Sequence, residues 1–170
     1  LNALFLDFDF YKTLKFRAMR ADEFAAVLER RVVKLGLPEP SFVIDSGRGC
    51  YTIWLHSSLP KKALPRWQAL LRTMLQKTID LGADTACSDP ARILRVPGTF
   101  NSKSGREVAI LKGSELRYDF DDLADAFYAA NGRPTRSELI RRKTGKNGRD
   151  DQATAKTETH FSGLPPKQRF

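Results

Sequence analysis

Apolar and polar residues are spaced along this chain in patterns that predict its elements before any chemistry is considered. Leu4 to Tyr11 is an apolar run broken only by Asp7 and Asp9, which reads as a buried strand. Ala21 to Leu35 carries Phe24, Val27, Leu28, Val32 and Leu35 on one helical stripe, and Gly36 and Pro38 stop it. Ser41 to Asp45 and Cys50 to His56 are strands on either side of a tight turn, Ser46-Gly47-Arg48-Gly49, so a hairpin is expected. In its second strand Tyr51, Ile53 and Leu55 share one face, and Cys50, Thr52, Trp54 and His56 the other. Lys62 to Leu81 is a long helix with Trp67, Leu70, Leu71, Met74, Leu75 and Ile79 inward. Asp84 to Cys87 is a short extended piece. Ala91 to Val96 and Glu107 to Lys112 are expected strands around a Pro/Gly/Asn/Ser-rich turn, with Ile93, Leu94 and Val96 requiring burial. Asp122 to Ala130 is a third helix, with Leu123, Ala126 and Phe127 inward, and Thr135 to Lys143 a short basic one. There is no internal repeat. Helices mixed with hairpins place the chain in the α/β (α+β) class, a mixed sheet covered by helices.

Composition then divides the chain. Of its 170 residues, 1–130 hold nearly all the periodic elements and form the expected folded domain; 131–170 are expected to be a basic, partly disordered tail or linker. That tail has ten Lys/Arg against four Asp/Glu and so carries +6 of the net +9. A basic tail on a near-balanced body suits a polyanion, usually nucleic acid, or else simply keeps the chain soluble. No apolar run is long enough for a membrane span and there is no signal-peptide pattern, so no membrane partner is expected. The start at Leu1, without Met and almost directly in a strand, reads as a piece of a longer protein. Cys50 and Cys87 are too far apart and too few for a zinc motif or disulfide framework, which fits a reducing cytoplasm.

Three stretches carry candidate chemistry. Asp7 and Asp9 are two apart in a strand, so their carboxylates share a face while Leu6, Phe8 and Phe10 enter the core. Carboxylates in so apolar a strand need compensation, and a hard divalent cation supplies it. The simpler alternative is that one caps a turn and the other pairs with a lysine such as Lys12. In Ser46-Gly47-Arg48-Gly49 the glycines let backbone approach an anion while Arg48 reaches over it, or else the turn is ordinary with an exposed arginine. The third stretch runs from Asp84 to Gly105. It places Arg92, Arg95 and Lys103 around a Pro-Gly turn, a set of cations suited to phosphates.

Taken in order, these motifs resemble the archaeo-eukaryotic primase (primase-polymerase) superfamily, in the branch found in plasmid, phage and integrative-element replication proteins. The resemblance covers Leu4 to Leu111: acid-x-acid in a strand, Ser-Gly-Arg-Gly entering a strand that contains Trp54, and an Asp followed by Arg-x-x-Arg-x-Pro-Gly-Thr-x-Asn-x-Lys-x-Gly. It implies an RRM-like, largely antiparallel sheet flanked by helices and a nucleotidyltransferase acting as a DNA primase. Asp7 and Asp9 match the first motif, which binds divalent metals. Asp84 matches the third, single-acid motif by its distance ahead of Arg92, with Asp89 the alternative. The resemblance thus implies a two-metal site for Mg²⁺ or Mn²⁺ on Asp7, Asp9 and Asp84. Ser46, Arg48, Gly49, Tyr51, Arg92, Arg95 and Lys103 fall at positions that hold nucleotide phosphates or template. Tyr51 stands where the family's second motif has His, and a phenol donates one hydrogen bond without imidazolium charge.

The partners so implied are single-stranded DNA and NTPs or dNTPs, with a helicase or helical accessory domain elsewhere in the full-length protein. Tyr11, Phe16 and Phe100 are candidates for base stacking, or for core. Two other readings compete. One is a non-catalytic single-strand-binding module on the same fold. The other is a haloacid dehalogenase-type phosphatase, whose opening motif Phe5–Asp9 with Thr13-Leu14 resembles, although Phe10-Tyr11-Lys12 displaces the Thr.

Overall fold

The computed structural model describes residues 1–144. Its centre is an antiparallel sheet of β1 (Ala3–Phe8), β2 (Phe42–Asp45), β3 (Cys50–His56) and β6 (Ala109–Gly113), in the order β1-β3-β2-β6. A short β7 (Arg117–Tyr118) runs parallel to the end of β3, where β2 has already stopped. The expected hairpin forms, with Asp45 opposite Cys50 at its closed end.

Register explains the two faces. Leu4 opposite Trp54, Leu6 opposite Thr52, and Val43 opposite Thr52 are all fully buried. This face meets the apolar stripes of α1 (Ala21–Lys34), α2 (Leu64–Lys77) and α3 (Phe120–Ala130), through Phe24 and Leu28, Trp67 and Leu70, and Leu123 and Phe127. Phe24 is the hub of an aromatic group, stacked on Phe10 at 4.3 Å and edge-on to Phe8 and Phe16. Phe16 is therefore core, which removes it from the stacking candidates. On the opposite face Asp7, Tyr51 and Ile44 form a row across three strands, and a second small cluster gathers Ile44, Tyr51 and Val108.

Several element boundaries differ from expectation. β1 ends at Phe8, and Phe10–Lys12 is a turn of 3-10 helix that still buries Phe10. The long second helix stops at Lys77, where Thr78 turns its hydroxyl back onto the Met74 carbonyl. The expected strand at Ala91–Val96 does not form: these residues run as irregular loop, with Ile93 92% and Val96 65% exposed and only Leu94 packed inward. Glu107–Lys112 is split, because buried Val108 leaves one strand pair and enters another. Arg106–Glu107 (β5) pairs with Phe100–Asn101 (β4), and β6 starts at Ala109.

α3 is capped by Asp119, whose carboxylate accepts from the amides of Asp121 and Asp122. Asp119→Ala is expected to cost about 1 kcal/mol in urea unfolding, the usual worth of an N-cap.

The chain divides into two compact units, Leu1–Arg133 and Pro134–Phe170. Within the second, 136–144 are helical, opened by a Thr135/Glu138 capping box. The rest of the expected basic tail, 145–170, lies outside the described residues.

Candidate metal and nucleotide site

Three pieces of backbone meet at the C-terminal end of β1. The first is β1 itself, which aims Asp7 onto the open face beside Tyr51. The second arrives from α2. Gly82 sits at φ +84°, a left-handed conformation that glycine adopts without steric cost. It turns the chain so that Ala83 bridges Phe8 along the free edge of β1. The amide of Asp84 then donates to the Asp7 carbonyl at 2.8 Å, and that of Asp9 to the Gly82 carbonyl at 2.8 Å. Asp84 to Cys87 is consequently a turn rather than an extended piece, closed by the Cys87 amide on the Asp84 carbonyl.

The third piece is the β2–β3 turn. Ser46 accepts from the Gly49 amide at 2.9 Å, and the buried Asp45 carboxylate accepts from the Gly47 amide at 2.8 Å. Gly49 lies so close to β1 that a Cβ there would stand 2.4 Å from the Phe8 carbonyl oxygen. Arg48, exposed, stacks its guanidinium 4.3 Å over the Tyr11 ring. The turn's glycines thus serve close packing of backbone on backbone, and its arginine is parked beside the acidic edge.

Together these pieces bring carboxylate oxygens of Asp7 and Asp84 and the sulfur of Cys87 within 4.8 Å of one another. Burial first, then the charges of Asp9 and Asp84, push the Asp7 carboxyl up to about 6, against the opposing pull of Arg92 and Arg95. Asp84 moves the other way, held down chiefly by the hydrogen bond it accepts from Cys87. Its Oδ2 lies 3.0 Å from the Cys87 sulfur.

Asp9 is placed differently from its sequence partner. It follows the end of β1 with φ −83° and ψ 49°, and its carboxylate pairs with Lys12 at 2.5 Å. Its charge reaches Asp7, but its oxygens are not in the cluster with Asp84. Asp89, the alternative third acid, is half-exposed and faces Arg92 at 3.4 Å.

Two cations, Arg92 and Arg95, face the acids from one loop, and Lys103 lies apart from them between β4 and β5. Arg92 donates to the Ala86 carbonyl at 2.6 Å, while its buried Nε has no partner among the described residues. Arg95 is exposed and near enough to lower the Asp7 pKa. Lys103 is exposed beyond β4, its amide held by the Asn101 side chain at 3.1 Å. Tyr51 is buried and donates its hydroxyl to the Arg95 carbonyl. Burial and the Asp7 charge push its phenol up to about 12, so it stays a neutral donor. Here it braces the cationic loop against the sheet. Of the aromatic candidates, Phe100 is 71% exposed and Tyr11 lies beneath Arg48.

Cys87 is the residue that sequence reasoning passed over. A lone cysteine without a motif partner gives no signal, and its place beside two carboxylates depends on the Ala83–Phe8 bridge.

No family model matches the sequence. A replication protein of Clostridium perfringens is 39% identical over 150 residues, 84% of this chain. The chain spans 36% of that relative's length. Among solved structures, the AEP domain of the cyanophage S-2L primase-polymerase superposes with a TM-score of 0.54 at 22% identity, covering 75% of this chain and 60% of that domain.

Proposed function

Because the chain has the catalytic-domain fold of the archaeo-eukaryotic primase superfamily, we propose that it is a DNA primase or primase-polymerase that makes short primers on single-stranded DNA for replication of a plasmid or other mobile element. The meeting of Asp7 and Asp84 beneath Arg92 and Arg95 supports this best. Two carboxylates on rigid backbone, one with its pKa raised by burial and then by the neighbouring carboxylates, are a donor set that fits magnesium or manganese. Asp9, turned from Lys12, completes three carboxylates for a two-metal site. A divalent ion there would act as Lewis acid at the α-phosphate and lower the pKa of the attacking 3′-hydroxyl.

The chain's own residues do the positioning. Arg92, Arg95, Lys103 and Arg48 hold the triphosphate of an incoming NTP or dNTP through charge-assisted hydrogen bonds. The Ser46–Gly49 turn shapes the wall beside it. Tyr51 fixes the loop that carries Arg95, so the family's histidine task passes to these cations. In this reading the tail, 131–170, is a basic linker from the domain, 1–130, to other parts of the full-length protein. A helicase or helical accessory domain is the natural companion, and the cytoplasm the natural compartment. Among the described residues no helix is long and apolar enough to cross a membrane.

The phosphatase alternative gains no support. The Thr13 hydroxyl that its motif would use donates instead to the Phe10 carbonyl at 2.8 Å and accepts from the Phe16 amide at 3.2 Å.

The test is dinucleotide synthesis on single-stranded DNA with Mg²⁺ or Mn²⁺. Single-strand binding without product under either metal would leave the non-catalytic module in its place. In steady-state kinetics, Arg92→Ala and Lys103→Ala are each expected to raise the nucleotide KM about ten-fold, the worth of one charge-assisted hydrogen bond. An unchanged KM removes that residue from the site.

A further inference from the structure

We propose that Cys87 is a third protein donor to the metal held by Asp7 and Asp84, and that it biases this site away from magnesium toward the more thiophilic cobalt, zinc and cadmium ions. The inference rests on the proposed metal site and adds to it a preference that carboxylates alone would not have.

The geometry is specific. The Cys87 sulfur lies 3.0 Å from one Asp84 oxygen and 3.9 Å from an Asp7 oxygen, on the same side of the β1 edge. One donor atom from each of the three residues fits within 4.8 Å, the span of a single coordination sphere. The thiol is also held in place. It is buried, and its backbone is fixed by the turn that Asp84 opens. Cys50, the other cysteine, lies on the opposite, helix-covered face of the sheet and offers nothing to this cluster.

Donor chemistry then sets the preference. Magnesium takes hard oxygen ligands and keeps its waters, so a sulfur adds nothing to its binding. Borderline and soft ions gain strongly from a thiolate. On binding such an ion the sulfur–hydrogen bond breaks, the proton passes to the buffer, and the sulfur lone pair becomes the metal bond. Without the metal, the same thiol donates to Asp84 and keeps that carboxylate oriented.

The probe is Co²⁺ alone, titrated into the reduced 170-residue chain and read by absorbance. A near-ultraviolet sulfur-to-cobalt charge-transfer band is expected. It should persist in Cys50→Ser and vanish in Cys87→Ser. Competition with Mg²⁺ gives a second measure: Cys87→Ser should lose Co²⁺ affinity by at least about ten-fold while Mg²⁺ affinity stays unchanged. Cobalt bound without the band in the wild type would overturn the proposal, leaving Cys87 to orient Asp84 while the metal site itself stands. A band that survives Cys87→Ser would overturn it too. No cobalt binding at all would remove both this inference and the metal site beneath it. A wild-type spectrum without the band overturns the proposal even if a variant fails to fold.

Discussion

Asp7→Asn is expected to stabilise the metal-free chain at neutral pH by up to about 3 kcal/mol while abolishing metal-dependent dinucleotide synthesis. The two effects have one origin. In the fold the Asp7 carboxyl titrates near about 6 instead of 3.8, because it is buried and faces Asp9 and Asp84. The folded state therefore holds that proton more tightly than the unfolded chain does. Below the unfolded pKa both states are protonated and Asp7 adds no pH dependence. As pH rises toward and through about 6, the folded state is left with an ion that the unfolded chain accommodates better, and stability falls. Asparagine removes the ion and with it the penalty, but also a metal donor. Urea unfolding of both proteins between acid and neutral pH checks this. The curves should converge at low pH and separate as pH rises, with wild type below, and added Mn²⁺ should raise wild type alone. Parallel curves would mean that Asp7 is not under strain from its neighbours.

The largest loss is expected from one methyl group. Gly49→Ala would place a Cβ 2.4 Å from the Phe8 carbonyl oxygen, a backbone atom that cannot swing aside. Either the β2–β3 turn or the end of β1 must move, at a cost on the order of 3 kcal/mol. Because Asp7 immediately precedes Phe8, the same movement should misplace the acid from Asp84 and depress activity even where the chain stays folded. Thermal unfolding together with metal affinity separates the two effects. Gly105→Ala is the control, since its φ of +67° is strained for alanine but a Cβ there meets no atom of the described residues within 4 Å. If Gly49→Ala loses no more stability than Gly105→Ala, the close approach does not govern this edge.

What was readable in the sequence follows from the range of the forces involved. Helical stripes and the β2–β3 hairpin are local patterns, and the motif order pointed to the fold that the cyanophage domain shares. The end of β1 is hidden in the sequence because a strand and a 3-10 turn both bury Phe10, so the apolar pattern is the same for either. That one step moved Asp9 off the strand and onto Lys12. The irregular loop at 91–99 is hidden for a related reason. Ile93 and Val96 resemble strand residues, yet none of the described residues pairs with them as a strand, and of the three only Leu94 packs inward, on the cluster of Ile44, Tyr51 and Val108. Asp84 could be chosen over Asp89 from its spacing, but its contact with Asp7 depends on the Ala83–Phe8 bridge, whose residues are 75 positions apart. Nothing local encodes such a pairing.

Asn101 has one more consequence. It is almost wholly buried, donates to the Ser46 carbonyl at 2.8 Å, and accepts from the Lys103 amide. It therefore ties the β4–β5 arm to the β2–β3 turn, so neither can open without stripping a buried polar group of its partner. In native-state hydrogen exchange, the amides of Gly47, Gly49, Ser104 and Gly105 should open with one shared free energy, as a single cooperative unit. An incoming phosphate would then meet a wall whose two halves breathe together.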